Sequence, residues 1–555
     1  MAKQYLWNIQ HKERLASVDG VIDILLKNRS ILSIQERQEF FTPKHPNDFS
    51  LEELGIKEKE VNKAVKRIRE AIEGGEHIVV YGDYDADGVC STSIMWQTLY
   101  HYTKNVTPFM PDRFIDGYGL NAESIEKLKA KDEKLSVIVT VDNGIVANGA
   151  VDKANELGID VIITDHHQKS KMLPKAYAIV HTDLICGSGV AWIVSRELGN
   201  SLENGNWKLE NNGLDLAAIG TIADQMPLVG INRSFAYHGL KELSNTKRLG
   251  LLALLESCAI EPGKLGTYEV NYVIAPRINA MGRLESAMDS LRLLCTTNKT
   301  KARDLANTLG RINGERQKMV EQMVAHAKSE AKKKDWLGVI VLAHETYHEG
   351  VIGLIASRLV DEYYRPAIIL AKSETTAKAS ARSIHGFNII ENIRKLDHLL
   401  IGGGGHPMAA GFSIKNSDVE EFEKQMEIIS KELLTDDMLK RKLNIDTELS
   451  FNAITDELLE KLLAFNPVGL GNMTPLFATK NVHVDDANLI GSEKKHLKMH
   501  VSEGNHSFEA IAFNMSEFFD QLSPDKTIDI AYSVDKNVWN GRVTTQLKIK
   551  DLKVN

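Results

Sequence analysis

The sequence predicts an α/β protein in which two α/β domains, joined by a long helix around a cleft, are followed by a C-terminal antiparallel β-barrel of the OB type. Three observations predict this architecture. Short β-branched runs alternate with helix-like segments in the first half of the chain and again beyond its middle. A long polar segment with helical spacing separates these two regions. After about residue 444, short runs alternate apolar and polar residues, which is typical of a small barrel.

Length and composition limit the class of protein. With 555 residues the chain is too long for one hydrophobic core, so about three or four domains are expected. The net charge of −8 excludes a uniformly basic nucleic-acid-binding surface but allows a local basic groove. The first residues lack the apolar core of a signal peptide, no apolar run could span a bilayer, and the four cysteines show no CxxC spacing. We therefore expect a cytoplasmic protein without a membrane segment, whose cysteines are reduced thiols.

The first α/β pattern predicts a parallel sheet with polar clusters at one edge. Between residues 76 and 183, the apolar runs IVVY, SVIVTV and DVIIT alternate with amphipathic segments, as in βαβ units. A charged cluster follows each run: DYDADG (83–88), DNG (142–144) and DHH (165–167). Functional residues of such sheets lie beyond the carboxyl ends of the strands, so we expect the three clusters to converge.

The remaining pattern divides the chain into further regions. We predict an N-terminal extension at 1–50, a first α/β domain at 51–297, a connecting helix at 298–335, a second α/β domain at 336–440 and an OB-like nucleic-acid-binding domain at 444–555. The second α/β domain contains four consecutive glycines followed by His406. Glycine permits a close approach to a substrate backbone, and a tight interdomain turn is the equally good alternative.

The aspartate cluster can be compared with the calcium-binding loop that it most commonly resembles. DYDADG matches the first half of an EF-hand calcium loop that begins at Asp83 and has Gly88 in sixth place. The twelfth place requires a bidentate glutamate, but Ile94 occupies it. The preceding IVVY is also a strand and not an amphipathic helix. The calcium-loop interpretation is therefore excluded.

A divalent-metal site at the strand ends explains the aspartates better. Crowded carboxylates are stabilised by cations, and their hard oxygen donors suit Mg²⁺ or Mn²⁺. Asp142 and Asp224 also follow apolar stretches, and His166 and His167 add imidazole, which shifts the preference towards Mn²⁺. Such a set is large enough for two cations about 3.5–4 Å apart, the arrangement used for phosphoryl chemistry. Taken singly, each residue would more often be a helix cap, a turn or a surface group.

The ordered motifs carry a resemblance to a known family. DYDADG, VDNG, DHH and ADQMPL, in this order, resemble the four motifs of the DHH phosphoesterase superfamily. PRINAMGR, ARSIHGFNI and GGGGHPMAAGF resemble its associated DHHA1 domain. The aspartate-rich first motif, PDRFIDGYG and the trailing barrel with NPVGLGNMTPLF are most similar to the single-stranded-DNA exonucleases of the superfamily. The resemblance runs from about residue 76 to the end of the chain and implies that 51–297 is the DHH catalytic domain.

The resemblance also implies a ligand set for two divalent cations, Mn²⁺ or Mg²⁺. Asp142 would bridge both ions, and His167 would contact the scissile phosphate and orient His166. Many members have a histidine early in the first motif, where this chain has Tyr81 and then Asp83, so the division of the aspartates between the ions stays open. The positions that match metal ligands are Asp83, Asp85, Asp87, Asp142, His166 and Asp224.

The same resemblance implies a site for a 5′-terminal nucleotide. Arginine suits it because its planar fork pairs with phosphate in two places. Tyr118 would stack on the terminal base. For an arginine taken alone, a surface ion pair is the simpler interpretation, and for Tyr118 it is ordinary packing. The matching substrate-binding positions are Arg113, Tyr118, Arg277, Asn279, Arg382, Ser383 and His406.

The function implied is a metal-dependent 5′-to-3′ exonuclease that degrades single-stranded DNA to 5′ mononucleotides by two-metal hydrolysis, in DNA repair and recombination. Asp142, His166 and His167 would be its catalytic residues. The family further implies a monomer whose partners are single-stranded DNA, a single-strand-binding protein and a RecQ-like helicase. Two alternatives are a phosphodiesterase of the same superfamily acting on short RNA or cyclic dinucleotides, and a nucleic-acid binder that has lost its chemistry. The extra β domain disfavours the first, and the complete metal set disfavours the second.

Overall fold

A computed structural model of the protein describes residues 5–117, 119–203, 213–263, 265–334, 336, 338–522, 526–539 and 542–555. These residues fall into two units. The first unit comprises Arg29–Gly314 and Leu463–Thr474. The second unit comprises Met1–Asn28, Glu315–Leu462 and Pro475–Asn555. Among the described residues, none of the helices combines the length and the apolar character that a bilayer-spanning helix needs.

The first unit is built on a five-stranded sheet in which all neighbouring strands are parallel, as the alternating pattern predicted. Because every strand runs the same way, all carboxyl ends meet at one edge. In spatial order the strands are Val106–Phe109, His77–Tyr81, Leu135–Val141, Asp160–Asp165 and Ala178–His181.

Helices cover both faces of this sheet. Ile78 and Val80 pack into one hydrophobic cluster, whereas Val79 and Tyr81 pack into another on the opposite face. Successive strand residues point to opposite faces, so two clusters require a sheet that is buried on both sides, as parallel sheets are. The helices of this unit are Ile34–Phe41, Glu58–Gly74, Ala86–Tyr102, Ala122–Lys131, Asn148–Glu156, Gly187–Leu202, Leu214–Ala223, Gly230–Ser244, Leu249–Ser257, Thr267–Glu269, the π-helical Val270–Ile274, Ala275–Leu284 and Met288–Cys295.

The predicted long polar helix is present as Lys299–Ala331, a continuous helix of 33 residues. The chain passes from the first unit to the second within it, between Gly314 and Glu315. The helix therefore joins the two α/β regions, as the sequence predicted.

The second unit contains the second α/β region. Its five-stranded sheet consists, in spatial order, of Leu400–His406, Ala409–Lys415, Thr376–Arg382, Ala367–Lys372 and Ile340–His344. The glycine run lies in the edge strand Leu400–His406 and not in a turn, and residues 401–406 are exposed. The helices of this region are Ile352–Tyr363, Ile389–Arg394 and Val419–Leu433.

The C-terminal strands form the predicted small barrel. Five strands close on themselves because Phe477–Ile490 pairs at one side with His496–Glu503 and at the other with Thr527–Trp539. All pairs of neighbouring barrel strands are antiparallel except His506–Ala512 with Arg542–Val554, which is parallel. The strands of the third sheet are Tyr5–Leu15, Arg441–Leu449, Phe477–Ile490, His496–Glu503, His506–Ala512, Arg542–Val554 and Thr527–Trp539.

The N-terminal strand extends this third sheet. Tyr5–Leu15 pairs in parallel with Arg441–Leu449, which lies near the other end of the chain. Trp7 adds a hydrogen bond from its indole N–H to Asp551 Oδ2 at 2.6 Å. The sequence pattern predicted no such pairing. Two further helices of the second unit are Val18–Asn28 and Asp456–Leu463.

Candidate metal centre

The aspartate loop joins the strand His77–Tyr81 to the helix Ala86–Tyr102. Asp85 caps the start of that helix, because its Oδ1 accepts a hydrogen bond from the backbone N–H of Gly88 at 3.0 Å. Asp83 is buried, and its Oδ1 accepts from the N–H of Tyr84 at 2.7 Å. These local hydrogen bonds therefore hold two carboxylates at the strand end. They leave other carboxylate oxygens able to bind a cation.

Asp87 is held by the start of a second helix. Its Oδ2 accepts from the N–H of Gly187 at 2.7 Å, and its Oδ1 accepts from the N–H of Ser188 at 3.0 Å. The positive end of a helix dipole stabilises a buried carboxylate. A Cβ atom at Gly187 would lie 2.3 Å from Asp142 Oδ1, and one at Gly220 would lie 2.1 Å from Asp87 Oδ1. Both glycines are therefore required by the carboxylates, and neither was predicted from the sequence.

Asp142 follows the strand Leu135–Val141 in an unusual backbone conformation. Its φ of 62° lies in the left-handed region, which aspartate tolerates better than most residues. Its Oδ1 is buried and receives no hydrogen bond from the described residues, although His166 Nε2 lies 3.1 Å away. A buried carboxylate oxygen without a donor is costly unless a cation binds it. Asp142 therefore has the environment of a metal ligand.

Asp165 positions the two histidines beside it. Its Oδ1 accepts hydrogen bonds from the backbone N–H groups of His166 and His167, and it also lies 2.8 Å from His167 Nδ1. Its Oδ2 accepts from the N–H of Ile145. No role for Asp165 was predicted from the sequence. The available signal was an aspartate at a strand end directly before two histidines, since carboxylates commonly orient imidazoles.

The predicted ligands come together at this edge of the sheet. Asp142 and His166 each belong to two groups of potential ligands, which is what a pair of cations with shared ligands needs. Oxygen donors with one or two imidazoles fit Mg²⁺ and Mn²⁺. Within each group the ligand atoms lie within 4.8 Å of one another: Asp142 with His166 and His167, Asp87 with His166 and Asp224, and Asp83 with Asp85 and Asp142.

The electrostatics of the centre reflect this crowding. Burial and the neighbouring charge of Asp85 raise the pKa of Asp83 to about 8. Burial and the charges of Asp87 and Asp85 likewise raise the pKa of Asp142 well above its ordinary value. Burial opposes a charge on His167, but its hydrogen bond and ion pair with Asp165 raise its pKa to about 9. The site therefore concentrates negative groups whose ionised forms need positive charge nearby.

Three of the predicted substrate-binding residues lie in the same unit as this centre. Asn279 Oδ1 accepts from the N–H of Ala86 inside the aspartate loop at 2.7 Å. The guanidinium of Arg113 lies 4.1 Å from the ring centre of Tyr84, and its Nε donates to the carbonyl of Gly282. Arg277 Nη1 donates to the carbonyl of Val273. Of these three residues, Asn279 contacts the aspartate loop directly through its hydrogen bond with Ala86.

Three further predicted substrate-binding residues lie in the second unit. Arg382 is in the second unit, where Nη1 donates to the carbonyl of Ala381 and to Ser380 Oγ, and burial lowers its pKa. Ser383 is buried there and donates from its hydroxyl to the carbonyl of Phe387. His406 is exposed on the glycine-rich edge strand. Tyr118 lies outside the described residues.

Family models match three parts of the chain. The DHH family, N-terminal domain, matches residues 77–221, the DHHA1 domain matches residues 337–433, and the RecJ OB domain matches residues 445–551. The first match contains the aspartate loop and both histidines, and the third contains the five barrel strands except the last three residues of Arg542–Val554.

Several similar proteins and solved structures are named RecJ. The chain is 35% identical over 574 residues to the single-stranded-DNA-specific exonuclease RecJ of Bacillus subtilis, covering 100% of this chain and 71% of that protein. It is 33% identical over 526 residues to RecJ of Escherichia coli, covering 89% and 90%. Among solved structures, RecJ of Thermus thermophilus in complex with Mn²⁺ is similar with a TM-score of 0.82 and 28% identity, covering 99% of this chain and 79% of that chain. Its complex with Mg²⁺ has a TM-score of 0.76 and 27% identity, covering 99% and 78%.

The raised pKa values predict a stability that depends on both pH and cation. Without metal, folded Asp83 keeps a proton that the unfolded chain loses above its ordinary pKa of 3.8, and His167 has a shift of the same sign. The free energy of unfolding should therefore fall as pH rises from 6 to 8, by up to about 1.4 kcal/mol per pH unit for Asp83. Mn²⁺ should raise the unfolding temperature more at pH 8 than at pH 6, as measured by calorimetry in Mn²⁺ and in EDTA.

Two variants control this measurement. Asp142→Asn removes one of the crowded charges, so it should weaken both the pH dependence and the stabilisation by Mn²⁺. Asp152→Asn changes an exposed aspartate on the helix Asn148–Glu156 and should leave both unchanged. Equal stabilisation of the unaltered chain by Mn²⁺ at both pH values would contradict the prediction.

Asp165→Asn tests the positioning of His167. The substitution keeps the shape of the side chain but removes the charge that raises the pKa of His167. We expect a decrease in hydrolysis of about 10–100-fold, and the alkaline limb of the pH–rate profile should move to lower pH. The measurement is the pH dependence of phosphodiester cleavage with Mn²⁺, with Asp152→Asn as the control. A lower rate with an unmoved alkaline limb would show that Asp165 does not act through the charge of His167.

Proposed function

The chain belongs to the RecJ family of single-stranded-DNA-specific exonucleases, and we propose that it hydrolyses single-stranded DNA from the 5′ end and releases 5′ mononucleotides. The observation that carries this proposal is the convergence of seven predicted side chains from four separate segments, with Asp142 and His166 common to more than one ligand group. Ordinary capping or packing explains any one of these residues, but it does not explain a shared set.

The proposed metal ligands are the six that the sequence predicted. Asp83, Asp85 and Asp142 would hold one divalent cation, and Asp87, His166 and Asp224 the other, with Asp142 bridging. When bound, two Mn²⁺ or Mg²⁺ ions supply charge neutralisation at the phosphate and acidification of the attacking water. RecJ of Thermus thermophilus, which has been solved with each of these ions, supports this choice.

The protein's own groups would orient the substrate. His167, held by Asp165 and with its pKa raised to about 9, would be protonated near neutral pH and would donate a hydrogen bond to the scissile phosphate. Asn279 fixes the backbone at Ala86, between two aspartates, and thereby limits the movement of the loop. Fixed donors at a developing negative charge need no rearrangement during the reaction.

We propose that Arg113, Arg277, Arg382 and Ser383 bind the 5′-terminal phosphate, that His406 contacts the substrate backbone, and that Tyr118 stacks on the terminal base. Arginine side chains supply planar donors for phosphate. We further propose that the protein is a cytoplasmic monomer that acts in DNA repair and recombination. A single-strand-binding protein and a RecQ-like helicase are its proposed partners. The domain boundaries 1–50, 51–297, 298–335, 336–440 and 444–555 likewise stay a prediction.

A small-substrate phosphodiesterase is the less favoured alternative. The closed five-stranded barrel and the match of 445–551 to the RecJ OB domain favour a polymer substrate, because OB folds bind extended single strands. A binder without chemistry is disfavoured because all six predicted ligand positions carry aspartate or histidine.

Asp142→Ala tests the catalytic assignment. Removing the carboxylate that both cations would share should lower cleavage by more than about 100-fold, while binding of single-stranded DNA persists. The assay follows nucleotide release from strands labelled at the 5′ or the 3′ end, with Mn²⁺ or EDTA, and binding is measured in parallel. Asp152→Asn should cleave normally. Normal turnover by Asp142→Ala would overturn the assignment.

A further inference from the structure

A pair of tyrosines is exposed on the helical run that precedes Asn279. Tyr268 and Tyr272 are 65% and 67% exposed, and their ring centres lie 4.9 Å apart at an interplanar angle of 36°. Exposing two adjacent aromatic faces contributes little to folding, and contiguous apolar surface on a protein commonly marks an interaction site. The pair thus presents aromatic faces to solvent at neighbouring positions.

The helical run of residues 267–284 is attached to the metal centre at two points. Asn271 Oδ1 accepts a hydrogen bond from Gln225 Nε2 at 2.8 Å, and Gln225 directly follows the predicted ligand Asp224. Asn279 Oδ1 accepts from the N–H of Ala86 in the aspartate loop. The turn that carries the tyrosines is therefore held beside the metal ligands. It also contains the π-helical segment Val270–Ile274, and such turns are frequent at functional sites.

Helix geometry gives the spacing of the two tyrosines from Asn279, which contacts the aspartate loop. At a rise of about 1.5 Å per residue, Tyr272 is about 10 Å and Tyr268 about 16 Å along the axis from Asn279. Nucleotides stacked as in duplex DNA repeat at about 3.4 Å along each strand. A stacked strand that runs along this helix from the aspartate loop would therefore meet the two rings about three and about five nucleotides from the bond being cleaved.

The charged residues along this helical run are compatible with binding of a polyanion. Arg277 lies between Tyr272 and Asn279, and its Nε is buried without a hydrogen-bond partner among the described residues. Glu269, the acidic residue between the tyrosines, accepts a hydrogen bond from the N–H of Gly266 and so caps the helix start. A cation and two aromatic faces thus follow one another along a single helical run.

We propose that Tyr268 and Tyr272 form a stacking platform for bases of the single strand about three to five nucleotides from the cleaved bond, an inference that rests on the proposed function. Every base has an aromatic face, so stacking holds a strand without selecting its sequence. The platform would keep the strand aligned while its end is hydrolysed.

The test compares a long and a short substrate on the full chain with Mn²⁺. Tyr268→Ala and Tyr272→Ala should each raise KM for a 12-nucleotide deoxythymidine strand by about 5–150-fold, the range measured for loss of one base-stacking ring. KM for a 5′-phosphorylated thymidine dinucleotide, which is too short to reach either ring, should not change. Tyr268→Phe and Tyr272→Phe should keep the KM of the unaltered chain because the ring face remains.

Tyr100→Ala is the matched control. Tyr100 is a 41% exposed tyrosine near the far end of the helix Ala86–Tyr102, with its ring stacked on Trp96. Its loss should leave KM for both substrates unchanged.

The possible outcomes distinguish a failure of the stacking platform from a failure of the proposed function on which it rests. If the unaltered chain does not cleave the 12-nucleotide strand, the proposed function fails and the platform fails with it. If the unaltered chain cleaves it but the alanine variants have the same KM, the platform alone is overturned, and the tyrosines face something other than DNA. An equal loss on both substrates, or phenylalanine variants as weak as alanine variants, would also overturn it.

Discussion

Mutual repulsion among the carboxylates at the carboxyl ends of the parallel strands is the constraint on which the rest of the first unit depends. Asp83, Asp87 and Asp142 are all buried within one small volume, where the ionised form of a carboxylate is costly. The protein stabilises them with a capped loop, with the start of a second helix and with glycines that leave no Cβ in the way. These devices reduce the cost but do not remove it. Bound cations would remove the remaining cost because they would neutralise the buried charges.

Much of this site could be predicted from the sequence, because a parallel sheet brings its carboxyl ends together whatever the intervening loops do. The aspartate and histidine clusters needed only the recognition of alternating strands and helices. Gly187 could not be assigned in this way, and Asp165 was placed in its cluster but given no role. Their roles come from a helix start that meets Asp87 from 100 residues away and from a hydrogen bond that depends on the geometry of the strand end.

The fold, like the site, could be predicted from the sequence only in part. Local periodicity predicted the two α/β regions, the long helix Lys299–Ala331 and the barrel. It did not predict the pairing of Tyr5–Leu15 with Arg441–Leu449, because alternation identifies a strand but not its partner. The glycine run was not recognised as the edge strand Leu400–His406, because glycine carries no side-chain pattern.

The central claim is that the crowded carboxylates are a site for two cations. The most direct measurement is a titration of the metal-free chain with Mn²⁺ at pH 8, in which electron paramagnetic resonance counts the ions removed from solution. Two Mn²⁺ bound per chain, with loss of binding in Asp142→Asn, is the expected result. No saturable binding, or the same binding in Asp142→Asn, would contradict the claim, because nothing would then neutralise the charge that Asp142 shares with its neighbours.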